Sequence, residues 1–132
     1  MILGVLFSLS FVFASDHPYI YDLATKDIIR LSASEKTPVL MIDETCSVCE
    51  DLLRRIPRKK MKKLKIGLLK RPSFRWLAKK RLKFPKANFY QVGSLELPVK
   101  VFPTLFMVDS RGVSTSVYQG RSAIFKRLGH DL

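Results

Sequence analysis

The sequence predicts a single domain of the α/β class. An apolar run at residues 38–42 leads through a Cys-x-x-Cys motif into residues 50–56, which have the composition of a helix. A second apolar run at 104–108 follows a proline, and an Asp-x-x-Gly turn connects it to a further strand at 113–120. The length of 132 residues allows one domain with a modest core.

The segments before the cysteines are predicted to be one helix and one strand. Between Pro18 and Lys36 the apolar residues recur at helical spacing, which predicts a helix with one buried face: Ile20, Leu23, Ala24, Ile28 and Leu31. The continuous run at 39–43 predicts a short strand suited to the middle of a sheet. The helix after the cysteines is expected to bend or stop at Pro57.

Three further elements are expected downstream. Residues 64–69 fit a strand or more helix, and the sequence pattern supports both. Residues 72–82 predict a helix that starts with a proline and carries an apolar stripe of Phe74, Leu77, Ala78 and Leu82. Residues 87–92 predict a strand that ends at Gly93.

The N-terminal segment Met1–Ala14 is uncharged and almost wholly apolar. It ends in Val12-Phe13-Ala14, which offers small side chains at the positions that a signal peptidase inspects. We interpret it as an export signal, cleaved before Ser15 or Asp16, which leaves residues 15–132 as a periplasmic or otherwise extracytoplasmic domain. The segment lacks the usual Lys or Arg, so an uncleaved membrane anchor and an apolar terminal strand remain alternatives.

The only two cysteines, Cys46 and Cys49, are spaced to share one face of a helical turn. A disulfide across so short a loop stabilises a fold poorly, which favours a redox pair over a structural bridge. The dipole and free N–H groups of the helix favour a thiolate at Cys46. A metal ion needs further ligands, and the only histidines, His17 and His130, lie at opposite ends of the chain. We therefore predict neither a metal nor a cofactor.

The middle of the chain is strongly basic. Residues 52–95 contain no Asp or Glu, whereas sixteen Lys and Arg residues lie between 54 and 86, and they supply most of the net charge of +13. Such a field attracts anionic partners, and we predict that an anionic membrane surface or an acidic protein docks on Lys59, Lys60, Lys62 and Lys63. Nucleic acid is disfavoured because no nucleic-acid motif is present. The alternative is a solvated face without a partner.

Taken in order, these elements resemble the thioredoxin superfamily over roughly residues 37–57 and 88–128. The segment Phe102-Pro103-Thr104 corresponds to the cis-proline element of that family, and residues 122–128 correspond to its closing helix. The resemblance implies a central mixed β-sheet flanked by helices. The basic segment 54–86 is then expected to be a helical elaboration between the active-site helix and the cis-proline strand.

Three features depart from the pattern of the family, and the first is the pair Ser47-Val48 between the cysteines, where thioredoxins carry Gly-Pro. Thr45 stands where cytosolic thioredoxins carry Trp, and Leu40 stands where thioredoxins usually bury an Asp. The Asp relays the proton of the second cysteine in those proteins. Here the nearest carboxylates in the sequence are those of Asp43 and Glu44.

The resemblance implies a thiol–disulfide oxidoreductase that exchanges disulfides with protein substrates, and the apolar N-terminal segment makes export of this enzyme the expectation. A membrane electron donor or acceptor is an additional candidate partner. Cys46 would be the nucleophile and Cys49 the resolving cysteine. The resemblance also implies a substrate-binding segment around a cis-proline: Phe102, Pro103 and Thr104. The sequence leaves the redox direction open. A thioredoxin-like adaptor in an envelope assembly, without catalysis and with the basic tract as its working surface, is the alternative.

We predict that the mature protein begins near Ser15, because the uncharged apolar start ends in a sequence that a signal peptidase accepts. Mass spectrometry of the envelope fraction should detect this new N-terminus. An intact Met1 on a protein recovered from the cytoplasm would refute the export expectation.

Overall fold

The computed structural model describes residues 19–31, 36–93, 95 and 97–131, and its centre is a seven-stranded sheet. The predicted export segment and His17 lie outside the described residues, as does the side chain of His130. The strands and helices are β1 Tyr19–Asp22, β2 Ile28–Arg30, β3 Thr37–Met41, α1 Ser47–Arg55, α2 Arg58–Met61, β4 Lys65–Leu68, α3 Phe74–Lys83, β5 Asn88–Gln91, β6 Thr104–Val108, β7 Ser114–Gln119 and α4 Arg121–Asp131.

The sheet is mixed and has the strand order β2-β1-β5-β4-β3-β6-β7. Strands β3, β4 and β5 run parallel to one another, joined by crossovers through α1 and α2 and then through α3. The remaining neighbours pair antiparallel. This arrangement confirms the predicted mixed sheet with flanking helices, and it makes the carboxyl ends of the parallel strands one edge of the sheet.

The two faces of the sheet carry different cores. The four helices of the described residues contribute their buried side chains to one cluster, which we call the helix-side core; from the strands it includes Leu40, Ile66 and Leu105. The opposite cluster contains alternate residues of the same strands, and the chain after β5 covers it with Val92 and Leu95. The chain thus approaches the sheet closely on this second face.

Gly67 of β4 permits that close approach. A Cβ atom at this position would lie 2.8 Å from Sδ of Met41 and 2.9 Å from Cγ2 of Val92, closer than side-chain atoms pack. The glycine therefore lets the segment that starts at Val92 lie directly on the centre of the sheet.

The helix predicted between residues 18 and 36 is wrong, because β1 and β2 form an antiparallel hairpin there. The carboxylate of Asp22 accepts hydrogen bonds from the N–H groups of Ala24 (2.8 Å) and Thr25 (3.2 Å), and Lys26 has a positive φ of 65°. These turn interactions stop a helix and start a hairpin. Ile28, expected on a buried face, is 63% exposed.

The segment left undecided at 64–69 contains β4, and the helix and strand predicted after it are α3 and β5. The apolar stripe on α3 was wrong in part: Leu77 is buried, whereas Phe74 and Leu82 are each 86% exposed. The structure does not confirm a basic helical elaboration, since residues 54–86 include strand β4, which lies inside the sheet. Among the described residues, no helix has the length and apolar character needed to cross a bilayer.

Candidate active site

The two cysteines lie at the junction of β3 and α1. Cys46 is the N-cap residue of α1, with extended backbone angles (φ −89°, ψ 102°). Its N–H donates to the carbonyl oxygen of Asp43 (3.2 Å), and its Sγ accepts a hydrogen bond from the N–H of Cys49 (3.1 Å). The two residues form a disulfide, with Cα atoms 5.2 Å apart. The expected placement of the pair in the first turn of a helix is therefore confirmed.

The two cysteines differ in exposure. Cys49 is 1% exposed and belongs to the helix-side core. Cys46 is half-buried at the border of that core, and its neighbours Ser47 and Val48 are exposed. An incoming thiol or disulfide therefore reaches Cys46 first.

A cavity of about 200 Å³ lies beside the disulfide. Both cysteines line it together with Glu44 and Glu50, and α3 contributes Trp76 and Lys80. The N-terminal dipole of α1 favours a thiolate at Cys46. Within the described part of the chain, no three His, Cys, Asp or Glu residues are grouped to hold a metal ion.

Glu50 holds α3 against α1. Its Oε2 lies 3.1 Å from Nζ of Lys80, and its Oε1 accepts hydrogen bonds from Lys83 and, at 3.4 Å, from Arg54. Hydrogen bonds from Lys83 and Lys80 lower the pKa of Glu50 from 4.5 to about 2. Glu50 is therefore a carboxylate at neutral pH, and it binds cations instead of carrying a proton.

A second set of contacts fixes the first turn of α3 to the loop that carries the cysteines. Oε1 of Glu44 accepts a hydrogen bond from the N–H of Ser73 (3.1 Å). The Oγ of Ser73 caps the helix by accepting from the N–H of Trp76 (3.2 Å). The indole ring of Trp76 then packs edge-on against Phe89, with centroids 5.7 Å apart. The first turn of α3, which forms one wall of the cavity, is thus attached both to the cysteine loop through Ser73 and to strand β5 through Trp76.

The peptide bond between Phe102 and Pro103 is cis, as the resemblance implied. Thr104 pairs with Met41, the last residue of β3, so Pro103 lies at the sheet edge where β3 ends and the cysteine loop begins. The structure therefore brings the predicted proline segment and the disulfide to the same edge of the sheet.

The three residues predicted to bind substrate offer different groups. Thr104 is 1% exposed, and its hydroxyl donates to the carbonyl oxygen of Val101 (2.7 Å). The carbonyl oxygen of Pro103 accepts from the N–H of Gly120 (3.2 Å). Phe102 is half-buried, and its N–H and carbonyl oxygen form no backbone hydrogen bond with the residues that the structure describes. The N–H and carbonyl oxygen of Phe102 are thus available for hydrogen bonds with an additional extended segment.

The four lysines predicted as a docking site lie far from the disulfide. They belong to α2 and the turn after it, at the opposite end of α1 from Cys46. Lys59, Lys62 and Lys63 are exposed. Lys60 is half-buried, and its Nζ donates to the carbonyl oxygen of Leu128 at 2.6 Å. Lys60 thus fastens α2 to α4, and the docking role of the other three stays a prediction.

The structure also shows that the basic tract is partly neutralised from within. Within the described part of the chain, seven of its sixteen cations have partners outside the tract, among them the carboxylates of Glu50 and Asp51 and backbone carbonyl groups. These seven are Arg54, Arg55, Lys60, Lys65, Lys80, Arg81 and Lys83. Sequence reasoning missed Lys80 and Trp76 as cavity residues because no local pattern reports a contact between α3 and the cysteine loop.

The fold is similar to solved thiol–disulfide proteins at low sequence identity. A thio-disulfide isomerase from Thermus thermophilus has a TM-score of 0.60 and 14% identity, over 86% of this chain and 93% of its own. The thioredoxin domain of a thiol-disulfide oxidoreductase from Bacteroides vulgatus has a TM-score of 0.60 and 16% identity, over 84% and 89%. StoA from Bacillus subtilis has a TM-score of 0.55 and 13% identity, over 86% and 97%. No family model and no curated protein sequence matches this chain. These likenesses show a thioredoxin-like fold.

We predict that Glu50→Gln lowers the free energy of unfolding by about 1 kcal/mol at neutral pH, because it removes the anion that Lys80, Lys83 and Arg54 share. The pKa of Glu50 is lowered on folding, so its contribution is complete above pH 4.5 and is lost as the pH falls toward about 2. Urea unfolding at a series of pH values measures this difference.

Glu44→Gln is the matched control. Its side-chain oxygen still accepts the hydrogen bond from Ser73, and Glu44 forms no ion pair with the described residues. This variant should unfold like the wild type at neutral pH. A Glu50→Gln deficit that is equally large at pH 7 and near pH 2 would contradict the ion-pair explanation.

Proposed function

We propose that this protein is an exported thiol–disulfide oxidoreductase that acts on protein thiols and disulfides through Cys46 and Cys49. One observation carries the proposal: a disulfide at the first turn of α1 joins a half-buried Cys46 to a buried Cys49, at the sheet edge that also holds a cis-proline. The arrangement combines a reachable nucleophile, a protected resolving thiol and an adjacent segment for substrate.

In the reducing direction, the thiolate of Cys46 attacks one sulfur of a substrate disulfide. The substrate S–S bond breaks, a mixed disulfide forms with Cys46, and the departing substrate thiolate takes up a proton. Cys49 then loses its proton and attacks Sγ of Cys46, which releases the second substrate thiolate and leaves the pair oxidised. Two electrons pass from the protein to the substrate. The same steps in reverse donate the disulfide, and a membrane electron donor or acceptor that exchanges two electrons would set the direction.

The proton of Cys49 leaves through the cavity beside the disulfide. Leu40 occupies the position beneath the cysteines that is an Asp in thioredoxins, and it is fully buried. Glu50 is held as a carboxylate by Lys80 and Lys83, so it does not take up the proton near neutral pH. The remaining route is to solvent in the cavity that Glu44 lines.

A substrate segment would lie in an extended form beside Phe102. The N–H and carbonyl oxygen of Phe102 are available for a strand-like pairing, and the adjacent Pro103 has no N–H to compete. Thr104 contributes by its hydrogen bond to Val101, which holds the turn before β6. Export of the chain, proposed from residues 1–14, would give the pair an oxidising compartment in which its disulfide persists.

We predict that reduced Cys46 reacts with iodoacetamide well before Cys49, because it is more exposed and the N-terminus of α1 favours its thiolate. Cys49→Ser should accumulate mixed disulfides with envelope proteins, since the resolving thiol is missing. Labelling across a pH series, followed by peptide mass spectrometry, measures the first effect. Non-reducing gels of the variant measure the second.

Cys46→Ser is the control, and it should trap far fewer partners because Cys49 is buried. Equal labelling of both thiols at neutral pH, together with no trapped partner, would reject the redox proposal. A phenotype that survives loss of both cysteines but fails when Lys59, Lys62 and Lys63 are neutralised would favour the adaptor alternative.

A further inference from the structure

Helix α3 presents two large apolar side chains to solvent. Phe74 and Leu82 are each 86% exposed, at the first and the ninth position of this ten-residue helix. The side chains that attach the helix to the domain lie on its other side, where Leu77 is buried and Trp76 packs against the helix-side core. The exposed pair therefore plays no part in packing within the described residues.

Two cations share this outer face of α3. At 3.6 residues per turn, Arg75 and Leu82 project in nearly the same direction, with Phe74 on one side and Lys79 on the other. Arg75 and Lys79 are exposed, and neither forms an ion pair with a described residue. Both charges are therefore available to an anionic partner.

The surroundings strengthen the positive field. Lys70 and Arg71, just before the helix, are exposed. No acidic residue occurs in the chain from residue 52 to residue 95, which includes all of α3 and the strands on either side of it in sequence. Of the two carboxylates that contact α3 in the described part of the chain, Glu50 is bound to Lys80 on the inner side of the helix, and Glu44 accepts a hydrogen bond from the N–H of the N-cap residue Ser73.

We propose that the outer face of α3, formed by Phe74, Arg75, Lys79 and Leu82, docks on the surface of an anionic lipid bilayer. The face is a convex helix surface with cations among its apolar residues, and this pattern lets Phe and Leu enter the headgroup boundary while Lys and Arg bind lipid phosphates. The apolar row of Phe74, Ala78 and Leu82 runs directly beside the cationic row of Arg75 and Lys79, so one side of the helix offers both kinds of group. Because the chain has no acidic residue from 52 to 95, this side complements an anionic surface.

Docking in this way would place the disulfide beside the membrane. The inner side of α3 contributes Trp76 and Lys80 to the cavity next to Cys46, so only about one helix diameter, roughly 10 Å, separates that cavity from the docked face. In that position the cysteines would meet substrates or electron carriers in the membrane, and this functional consequence rests on the proposed redox function. The docking itself does not depend on the redox function.

The test is co-sedimentation of the full chain with phosphatidylcholine vesicles that contain or lack phosphatidylglycerol, over a salt series. The wild type should prefer the anionic vesicles and lose that preference as salt rises. The Phe74→Ser, Leu82→Ser double variant should bind them at least about tenfold more weakly. The Arg75→Ser, Lys79→Ser variant should show a loss of about tenfold or more.

Matched controls are Val117→Ser on β7 and Lys126→Ser on α4, which alter an exposed apolar and an exposed basic residue on other elements. Both should bind as the wild type does. Residues 1–14 are uncharged and present in every variant, so their affinity for lipid cancels in these comparisons. The proposal is overturned if the α3 variants bind anionic vesicles as well as the wild type does. It is also overturned if these variants keep their vesicle binding but no longer retain, in pull-downs, an acidic protein that the wild type retains.

A depth measurement keeps the proposal testable even if the serine variants unfold. The chain has one tryptophan, so Phe74→Trp combined with Trp76→Phe moves the only indole to the outer face. Anionic vesicles should shift the emission of this indole to shorter wavelength and protect it from a soluble quencher. An indole that stays fully quenchable on bound protein would show that α3 is not the contact surface.

Discussion

Strand β3 is paired on both sides and buried on both faces, and its position determines where the two cysteines lie. It pairs in parallel with β4 and antiparallel with β6, and Val39, Leu40 and Met41 are fully buried. The pairing with β4 continues just beyond the carboxyl end of β3, where the N–H of Ile42 donates to the carbonyl oxygen of Gly67 (3.0 Å). The cysteine loop therefore begins at a fixed point on the sheet. The next turns form the N-cap of α1. The helix dipole, the unequal burial of the two sulfur atoms and the neighbouring cis-proline all follow from that placement.

Helix α3 is the second element on which the site depends. Its inner side forms the cavity wall through Trp76 and Lys80, and Glu50 and Glu44 hold it against the cysteine loop. The basic tract therefore has at least two roles in the structure. Some of its cations stabilise the fold by binding carboxylates and carbonyl groups, and others remain exposed and give the outer side of α3 its charge. Net charge alone does not separate these roles, because the contacts that distinguish them join residues far apart in the sequence.

The sequence predicted the positions of the cysteine pair and the cis-proline better than it predicted the N-terminal region. The strand, cysteine spacing and proline were recognisable because each depends on local chemistry: an apolar run, a helix start and an X–Pro bond. The hairpin of β1 and β2 was missed because Ile20, Leu23 and Ile28 fit helical spacing as well as they fit two strands joined by a turn. Partners of Lys80 and Lys60 were beyond sequence reasoning, since they lie on other elements. The exposure of Phe74 was equally hidden, because an apolar stripe gives no direction when both sides of a helix carry apolar residues.

The central claim is that Cys46 and Cys49 form a redox pair and not a structural bridge, and the reduction potential of the pair tests it most directly. Equilibration in glutathione and dithiothreitol buffers, with thiols counted by mass after alkylation, gives this potential. The account predicts one two-electron transition in the range of thiol–disulfide enzymes, about −120 to −270 mV. A transition below about −300 mV, which is typical of structural disulfides, would contradict it.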